Sequence, residues 1–260
     1  MKFYATLLFI VVISLSLKAQ ETIHEVGVFL GTGAIQTDYG QRQDFLSSYG
    51  NNVLSLSFTH YMQFYSQELR SSDSYHWKKH FMLKSEVNIF TRAEFEHYGK
   101  YIEGTSIAAQ KMRAMKGSAS VMSVGLSTEY YLRSLYNDVK WNPFVTLGFK
   151  YSWFNNDLSS DLGDWRTDIT VLPDKYQTAN ALEVGRGSTP TIALGAGIRL
   201  RLTDRFDLAG VFNWHLYFSD TVDGLKANVP ENKNNEWMTA IQVGLIYDLR
   251  SASKSKAYCF

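Results

Sequence analysis

The stretch Trp141–Phe154, WNPFVTLGFKYSWF, alternates bulky apolar residues with small, polar or charged ones. One parity consists of Val145, Leu147, Phe149, Tyr151 and Trp153, and the other of Thr146, Gly148, Lys150 and Ser152. A period of two places these sets on opposite faces of a β-strand. A membrane-spanning barrel needs such strands, because its outer surface meets lipid and its interior does not.

The same alternation occurs in seven further segments. They lie near 21–33, 52–65, 80–98 and 118–132, and in the runs 192–202, 206–219 and 241–250. Segments of ten or more residues suit the tilted strands that a bilayer requires, and bacterial barrels have even strand numbers. We therefore predict an all-β fold: an eight-stranded antiparallel up-and-down transmembrane β-barrel with long extracellular loops. The loops are expected near 34–51, 99–117, 155–188 and 219–236.

A soluble, lipocalin-like barrel is the main alternative, because alternation alone does not say which face points inward. Two features favour the membrane form. The polar faces are rich in Gly and Ser, which fit the crowded interior of a small barrel. Trp141, Trp153, Trp214 and Trp237 lie near predicted strand ends, where interfacial tryptophans are common in membrane proteins.

The chain begins with a short apolar segment. Lys2 precedes the run Leu7–Ile13, and Lys18-Ala19-Gln20 follows it, which is typical of a secretory signal peptide. We predict a signal peptide over residues 1–20 with cleavage near residue 20, an outer-membrane β-barrel over 21–250, and a C-terminal tail over 251–260. The predicted location is the outer membrane.

The inward parity carries charges of both signs. The cations are Lys84, Arg92, Lys150, Arg199, Arg201 and Arg250, and the anions are Glu25, Glu86, Glu94, Glu129, Asp207 and Asp248. A charge buried without a partner costs several kcal/mol, so mutual pairing is the best explanation for this set. Because side chains can fill the interior of an eight-stranded barrel, we predict a plugged lumen crossed by ion pairs. The alternative is a narrow conductive channel lined by the same charges.

Two polar segments are candidate ligand sites in the loops. Residues 155–164 with Asp168 resemble a calcium loop, but Leu162 stands where an EF-hand needs Gly, so an exposed polar loop is favoured. Asp220, Asp223 and residues 231–236 form an acidic loop that is expected to be solvated, with partner or glycan binding as the alternative. No metal or cofactor site is predicted.

A short helix is expected over 105–116, capped by Thr105 or Ser106 and folded over the barrel mouth. The run Gly31–Ala34 lacks the third glycine and the helix of a dinucleotide-binding turn, so it is read as part of a strand.

Catalysis would need a base near a nucleophile, and His215 is the best candidate base, near Ser219, Asp207 and Glu129. A buried structural histidine in the lumen network is the favoured interpretation, and His60, on the lipid-facing parity, is assigned no role. We expect no enzymatic activity. A net charge of +1 gives no reason to expect nucleic acid as a partner, and one cysteine, Cys259, allows no internal disulfide.

Four segments carry a resemblance to a known family. They are Thr37–Arg42 (TDYGQR), Lys111–Ser118 (KMRAMKGS), Tyr217–Leu225 (YFSDTVDGL) and Pro230–Trp237 (PENKNNEW). With them the chain resembles a largely uncharacterised family of porin-like small outer-membrane β-barrels of Bacteroidota, to which accessory barrels of type IX secretion are related. The resemblance implies fold and location and transfers no catalytic residue.

The expected function is therefore a structural barrel, or an accessory to an envelope assembly or secretion complex, with outer-membrane lipid as its surroundings. A narrow porin or specific uptake channel is the alternative. An outer-membrane enzyme that hydrolyses lipid or peptide is a third, less favoured, possibility.

Overall fold

The computed structural model describes residues 21–39, 51–65, 78–99, 102–136, 139–227, 229 and 235–249. The predicted signal peptide, Arg250 and the C-terminal tail lie outside these residues. Among the described residues, no helix combines the length and apolarity needed to cross a bilayer.

Eight antiparallel strands form one closed barrel. They are β1 (Glu21–Gln36), β2 (Asn52–Tyr65), β3 (Phe81–Glu96), β4 (Met115–Tyr131), β5 (Trp141–Ser160), β6 (Arg186–Arg201), β7 (Phe206–Tyr217) and β8 (Trp237–Asp248). Each strand pairs with the next along the chain, and β8 closes the sheet by pairing with β1 from Glu25↔Asp248 to Gln36↔Trp237. The predicted eight-stranded up-and-down barrel is confirmed.

The two ends of the barrel differ in the length of their connections. We call the end that carries the connections 37–51, 97–114, 161–185 and 218–236 the loop end. The opposite end, which carries 66–80, 132–140 and 202–205, is the turn end. Strand β1 begins and β8 ends at the turn end.

The apolar parity faces outward, as predicted. On β5, Phe149 is 62% exposed whereas its neighbour Lys150 is 1% exposed. The outward residues Val28, Leu126, Leu147, Ile241 and Val243 are likewise exposed. A soluble barrel would show the reverse arrangement, so that alternative is wrong.

Aromatic rings flank this apolar belt at both ends. Trp141 lies at the turn end and Trp153 toward the loop end of β5, which at about 3.4 Å per residue and a tilt of about 40° separates them by roughly 30 Å along the barrel axis. Toward the loop end, Trp214 and Trp237 meet edge to face with ring centroids 6.0 Å apart. The separation of Trp141 and Trp153 along the axis matches a hydrocarbon layer of about 30 Å.

Several strands extend further toward the loop end than the sequence indicated. Strand β5 continues to Ser160 and pairs with β4 as far as Met115↔Ser160, so the prediction of a loop beginning at residue 155 is wrong. Outward side chains in this part of the barrel include Asn155, Asp157 and Ser159. Polar residues suit this position because the outer surface above the apolar belt meets water.

A bulge in β3 reverses the parity of its last residues. The register with β4 shifts between Phe90 and Ala93, so that Phe95 is buried while Arg92 and Glu94 are exposed on the outer surface. The prediction that Arg92 and Glu94 face the lumen is therefore wrong. One extra residue in a strand turns every later side chain to the other face.

The predicted helix is present as α1 (Ile107–Ala114). Ser106 is its N-cap, and its hydroxyl accepts a hydrogen bond from the backbone N–H of Ala109 at 3.2 Å. Lys111 forms an ion pair with Asp174, N to O 3.3 Å, which joins the helix to the long connection between β5 and β6.

Candidate functional site: the filled lumen and its cap

Inward aromatic rings fill the turn end of the lumen. Phe29, Tyr61, Tyr131 and Phe144 are buried there in one apolar cluster. Glycines on the neighbouring strands make room for them, because a Cβ on Gly197 would lie 2.4 Å from the ring of Phe144.

Arg199 is the centre of a buried ion-pair triad. Its Nη2 lies 2.5 Å from Glu25 Oε2, and its Nε lies 2.6 Å from Asp207 Oδ2. The guanidinium carbon is 5.8 Å from the ring centroid of Tyr61. Three strands, β1, β6 and β7, are thereby linked across the lumen.

A second group of charges lies further along the lumen. Lys84 Nζ is 3.2 Å from Glu129 and 3.6 Å from Glu86, and Lys150 Nζ is 3.1 Å from Glu86. The Ser127 hydroxyl donates to Glu86. Each of the two buried cations therefore has a carboxylate partner, as a low-dielectric interior demands.

Amides and hydroxyls continue this network around the barrel. Lys150 Nζ donates to Asn88 Oδ1 at 2.6 Å, and Asn88 Nδ2 donates to Ser57 Oγ at 2.8 Å. Gln242 Nε2 donates to Ser55 and Ser57 at 2.6 Å. Five strands contribute charged, amide or hydroxyl groups to this part of the lumen: β2, β3, β4, β5 and β8.

His215 does not meet the partners that the sequence placed near it. It is buried with its ring edge against Phe90, centroids 5.3 Å apart, and its Nδ1 has no hydrogen-bond partner. Asp207 pairs with Arg199, Glu129 pairs with Lys84, and Ser219 bonds to Thr221. Within the described residues, Asp207, Glu129 and Ser219 thus have other partners than His215.

Two further residues of the predicted charge set, Arg201 and Asp248, lie at the turn end. Arg201 is half-buried and stands opposite Asp207 in the sheet register. Asp248 is buried and stands opposite Glu25. Arg250 lies outside the described residues.

A small cavity lies between these groups. Its volume is about 10 Å³, and it lies among Tyr61, Lys84, Glu86 and Gln242. This volume is about what one water molecule requires.

An apolar cluster closes the loop end. Strand residues such as Ile35, Phe90, Phe95 and Phe154 pack there against residues of two connections, Leu172, Tyr176, Val222, Leu225 and Ala227. We call the described parts of these two connections, 161–185 and 218–227, the cap. A β-bridge between Leu182 and Leu225 joins them.

Asn156 of β5 attaches the cap to the barrel. Its Nδ2 donates to the carbonyl oxygens of Thr221 at 2.8 Å and Val222 at 3.3 Å. Its Oδ1 accepts from the backbone N–H of Gly185 at 2.7 Å. Both halves of the cap are therefore held by one side chain that the sequence suggested as a loop residue.

A buried carboxyl pair is formed by Asp223 of the cap and Glu236, the residue before β8. Glu236 accepts backbone hydrogen bonds from Val222 at 2.6 Å and Asp223 at 3.1 Å, while Asp223 accepts from Leu225 and Asp38, both at 2.8 Å. The expectation that this acidic loop is solvated is wrong for Asp223 and Glu236.

The buried environment of Asp223 and Glu236 raises the pKa of both carboxyl groups. Burial raises the pKa of Asp223 to about 6. Burial and the nearby charge of Asp223 raise the pKa of Glu236 well above its usual value. Two neighbouring buried carboxylates repel each other when both are ionised, so Asp223 and Glu236 titrate as a coupled pair.

No group of three or more His, Cys, Asp or Glu side chains in the described part of the chain is arranged to hold a metal ion. Residues 155–160, part of the candidate calcium loop, belong to β5, and Gly31–Ala34 lies within β1.

Closure of the sheet, the outward apolar belt and the inward charges together define a transmembrane β-barrel. Among solved structures, the chain is similar to Neisserial surface protein A, with 8% identity, a TM-score of 0.46, and coverage of 86% of this chain and 96% of that one. It is also similar to Ail, the attachment invasion locus protein of Yersinia pestis, with 12% identity, a TM-score of 0.43, and coverage of 88% and 99%.

A major outer membrane protein from Thermus thermophilus gives 13% identity, a TM-score of 0.44, and coverage of 86% and 99%. These identities describe a likeness of fold and transfer no binding or catalytic property. No protein-family model matches the chain, and no curated protein sequence matches it.

Proposed function

We propose that this protein is an outer-membrane β-barrel, exported by a signal peptide cleaved near residue 20, with a closed lumen and no catalytic activity of its own. Its role is structural, or accessory to an envelope assembly or secretion complex. The observation that carries this proposal is the filling of the lumen, from the aromatic cluster at the turn end to the cap at the loop end.

Conduction is disfavoured by the same observation. An ion would have to displace Arg199 from Glu25 and Asp207, and each of those groups would then be buried and unpaired. Breaking such a pair by removing one partner costs about 3–5 kcal/mol, which opposes passage of an ion through this layer.

Recording from planar bilayers tests the closed lumen. Purified protein is expected to give no sustained conductance steps at any concentration at which insertion is verified. Sustained steps from the unaltered protein would overturn the proposal.

A polar groove outside the barrel supports the accessory role. It has a volume of about 160 Å³ and is bordered by Glu94, Glu96, Lys116 and Asp157 on the outer surface of β3, β4 and β5. The groove adjoins residues whose charges are of both signs, including the exposed pair Lys116–Asp161 at 2.8 Å. Mixed, exposed charges of this kind suit the polar rim of a contact with another envelope protein.

The resemblance to small Bacteroidota barrels, some related to type IX secretion, supports this part of the proposal. Placing a photo-crosslinking amino acid at Ser159 in the groove tests it, with Phe149 in the lipid belt as the matched control position. We expect a stoichiometric protein adduct from position 159 and none from 149. A monomer without adducts from both positions would leave only the structural version of the role.

A further inference from the structure

Arg133 and Trp141 form a stacked pair at the turn end of the barrel. The guanidinium carbon of Arg133 lies 3.9 Å from the centroid of the Trp141 ring. Trp141 is the first residue of β5, lies on the outward parity and is exposed. It marks the turn-end edge of the apolar belt, where the hydrocarbon layer meets the lipid headgroups. The stacked guanidinium therefore lies at the depth of those headgroups.

The backbone of Arg133 is held in place by Asn142. Its N–H donates to Asn142 Oδ1 at 3.0 Å, and its carbonyl oxygen accepts from Asn142 Nδ2 at 2.9 Å. Asn142 is itself buried, and the N–H of Leu132 donates to the Pro143 carbonyl oxygen at 2.9 Å. Because the backbone is fixed and the side chain rests on a ring, a ligand of the guanidinium has little left to order when it binds.

The surroundings of Arg133 carry positive charge. Among the described residues, no carboxylate forms an ion pair with it. The Asp, Glu, Lys and Arg residues in the described parts of connections 66–80 and 132–140 are all basic: Lys78, Lys79, Arg133 and Lys140. The two connections are in contact, since the N–H of Leu135 donates to the carbonyl oxygen of Lys79 at 2.8 Å. An anionic group is therefore favoured beside Arg133.

Apolar side chains continue from the stacked pair into the belt. Leu132, Val145 and Leu202 are exposed on this part of the outer surface. A ligand that contacts both the cation and these side chains has an anionic head and apolar chains, which describes a phospholipid.

We propose that Arg133 and Trp141 bind the phosphate of a phospholipid headgroup in the leaflet at the turn end. A guanidinium donates two parallel N–H bonds to phosphate oxygens while its flat face stays on an aromatic ring, which an ammonium group cannot do. The cation–π contact with Trp141 holds the fork at the membrane surface. The site requires that the barrel spans a bilayer, and it is independent of whether the lumen conducts.

Native mass spectrometry of the purified protein, released from detergent micelles, tests the proposal. Phosphatidylglycerol is the probe, and diacylglycerol with the same chains is the phosphate-free comparison. We expect one phosphatidylglycerol to stay bound per barrel at concentrations at which diacylglycerol does not. Arg133→Ala is expected to weaken this binding by about tenfold or more, because it removes hydrogen bonds to a charged group. Trp141→Leu, which keeps the cation and removes the ring, is expected to weaken it as well.

Arg205→Ala is the matched control. It removes the same charge from an exposed turn-end arginine, which donates to the Tyr247 hydroxyl at 3.1 Å, and it is expected to bind like the unaltered protein. Heat-modified gel mobility verifies that each barrel is folded. Unaltered affinity in folded Arg133→Ala or Trp141→Leu would overturn the proposal, and so would equal weakening by the two arginine variants. Displacement of the lipid by excess inorganic phosphate would also overturn it, because the site would then take free phosphate.

Discussion

Arg199 stabilises the barrel mainly because it compensates the buried charges of Glu25 and Asp207, which would be costly to leave unpaired. The guanidinium and its two carboxylates are all nearly inaccessible, so each depends on the others for compensation. A buried ion pair adds little net stability compared with an apolar replacement, but removing one member leaves the others uncompensated.

Arg199→Met is therefore expected to lower the free energy of unfolding by about 3–5 kcal/mol. Urea unfolding in phospholipid vesicles, followed by tryptophan fluorescence, measures the change. Arg166→Met is the control, because the Arg166–Asp157 pair is more than half exposed at 3.4 Å and is worth about 0–1 kcal/mol. Adding Glu25→Gln and Asp207→Asn to Arg199→Met should restore much of the loss, and equal costs for the two arginine variants would contradict this account.

Glycine acts at the residue scale by leaving space for a ring. Gly197→Val is expected to destabilise the barrel by about 1–3 kcal/mol, because its side chain would overlap the ring of Phe144. Gly210→Val is the matched control on the adjacent strand, where a Cβ would meet nothing within 4 Å. The same vesicle unfolding assay distinguishes them. A Gly197→Val barrel as stable as Gly210→Val would show that the ring does not need this space.

At the scale of the element, alternation predicted strands better than it predicted their ends. The bounds of β2 at Asn52 and Tyr65 follow from a pattern that is uninterrupted. In β3 the consecutive polar residues Thr91 and Arg92 interrupt it, and this is the one sequence signal of the bulge that moves Arg92 and Glu94 outward. The polar end of β5 gave no such signal, because outer-surface residues above the lipid belt resemble loop residues.

The cap was not predictable from local sequence. Asp223 and Glu236 are polar residues in a segment rich in turn formers, and their burial depends on contacts with Asp38 and Val222 that are distant in the chain. Contacts between residues far apart in the chain leave no periodic pattern of apolar and polar residues in the sequence.

The cap is expected to become less stable as pH rises. Both folded pKa values are raised, so the folded state binds more protons than the unfolded state above pH 3.8. The contribution of Asp223 is fully present below about pH 4 and is lost as pH rises to about 6, and the contribution of Glu236, whose folded pKa is also raised, is lost in the same direction. Amide exchange protection at Val222, Asp223 and Leu225, corrected for intrinsic rates, should fall across this range.

Variants distinguish ionisation of Asp223 and Glu236 from general effects of pH on the stability of the cap. Asp223→Asn should flatten the profile, because it removes one of the two coupled protons. Glu183→Gln, which alters an exposed cap carboxylate paired with Lys226 at 3.2 Å, should leave the profile unchanged. Protection that increases with pH in the unaltered protein would contradict the prediction.

At the scale of the whole molecule, the barrel is layered along its axis. Aromatic rings close the turn end, paired charges and amides occupy the middle, and an apolar cluster beneath the cap closes the loop end. The sequence revealed the middle layer because inward charges share one parity, as Glu86 and Lys150 do. It did not reveal the end layers, because inward rings such as Phe29 and Phe144 interrupt a polar face that otherwise carries Gly, Ser and Lys.

The outer belt predicts how deep each tryptophan lies in a bilayer. Trp141 and Trp153 face outward at 44% and 47% exposure, whereas Trp165 lies in the cap and donates its indole N–H to the Leu158 carbonyl at 2.8 Å. In single-tryptophan variants, lipids brominated near the headgroup should quench Trp141 and Trp153 strongly, because indoles at the ends of the belt lie at the interface. Trp165 should be quenched weakly by every lipid, since the cap stands beyond the hydrocarbon. Strong quenching of Trp165 together with weak quenching of Trp153 would mean that the apolar belt is not the surface that the bilayer covers.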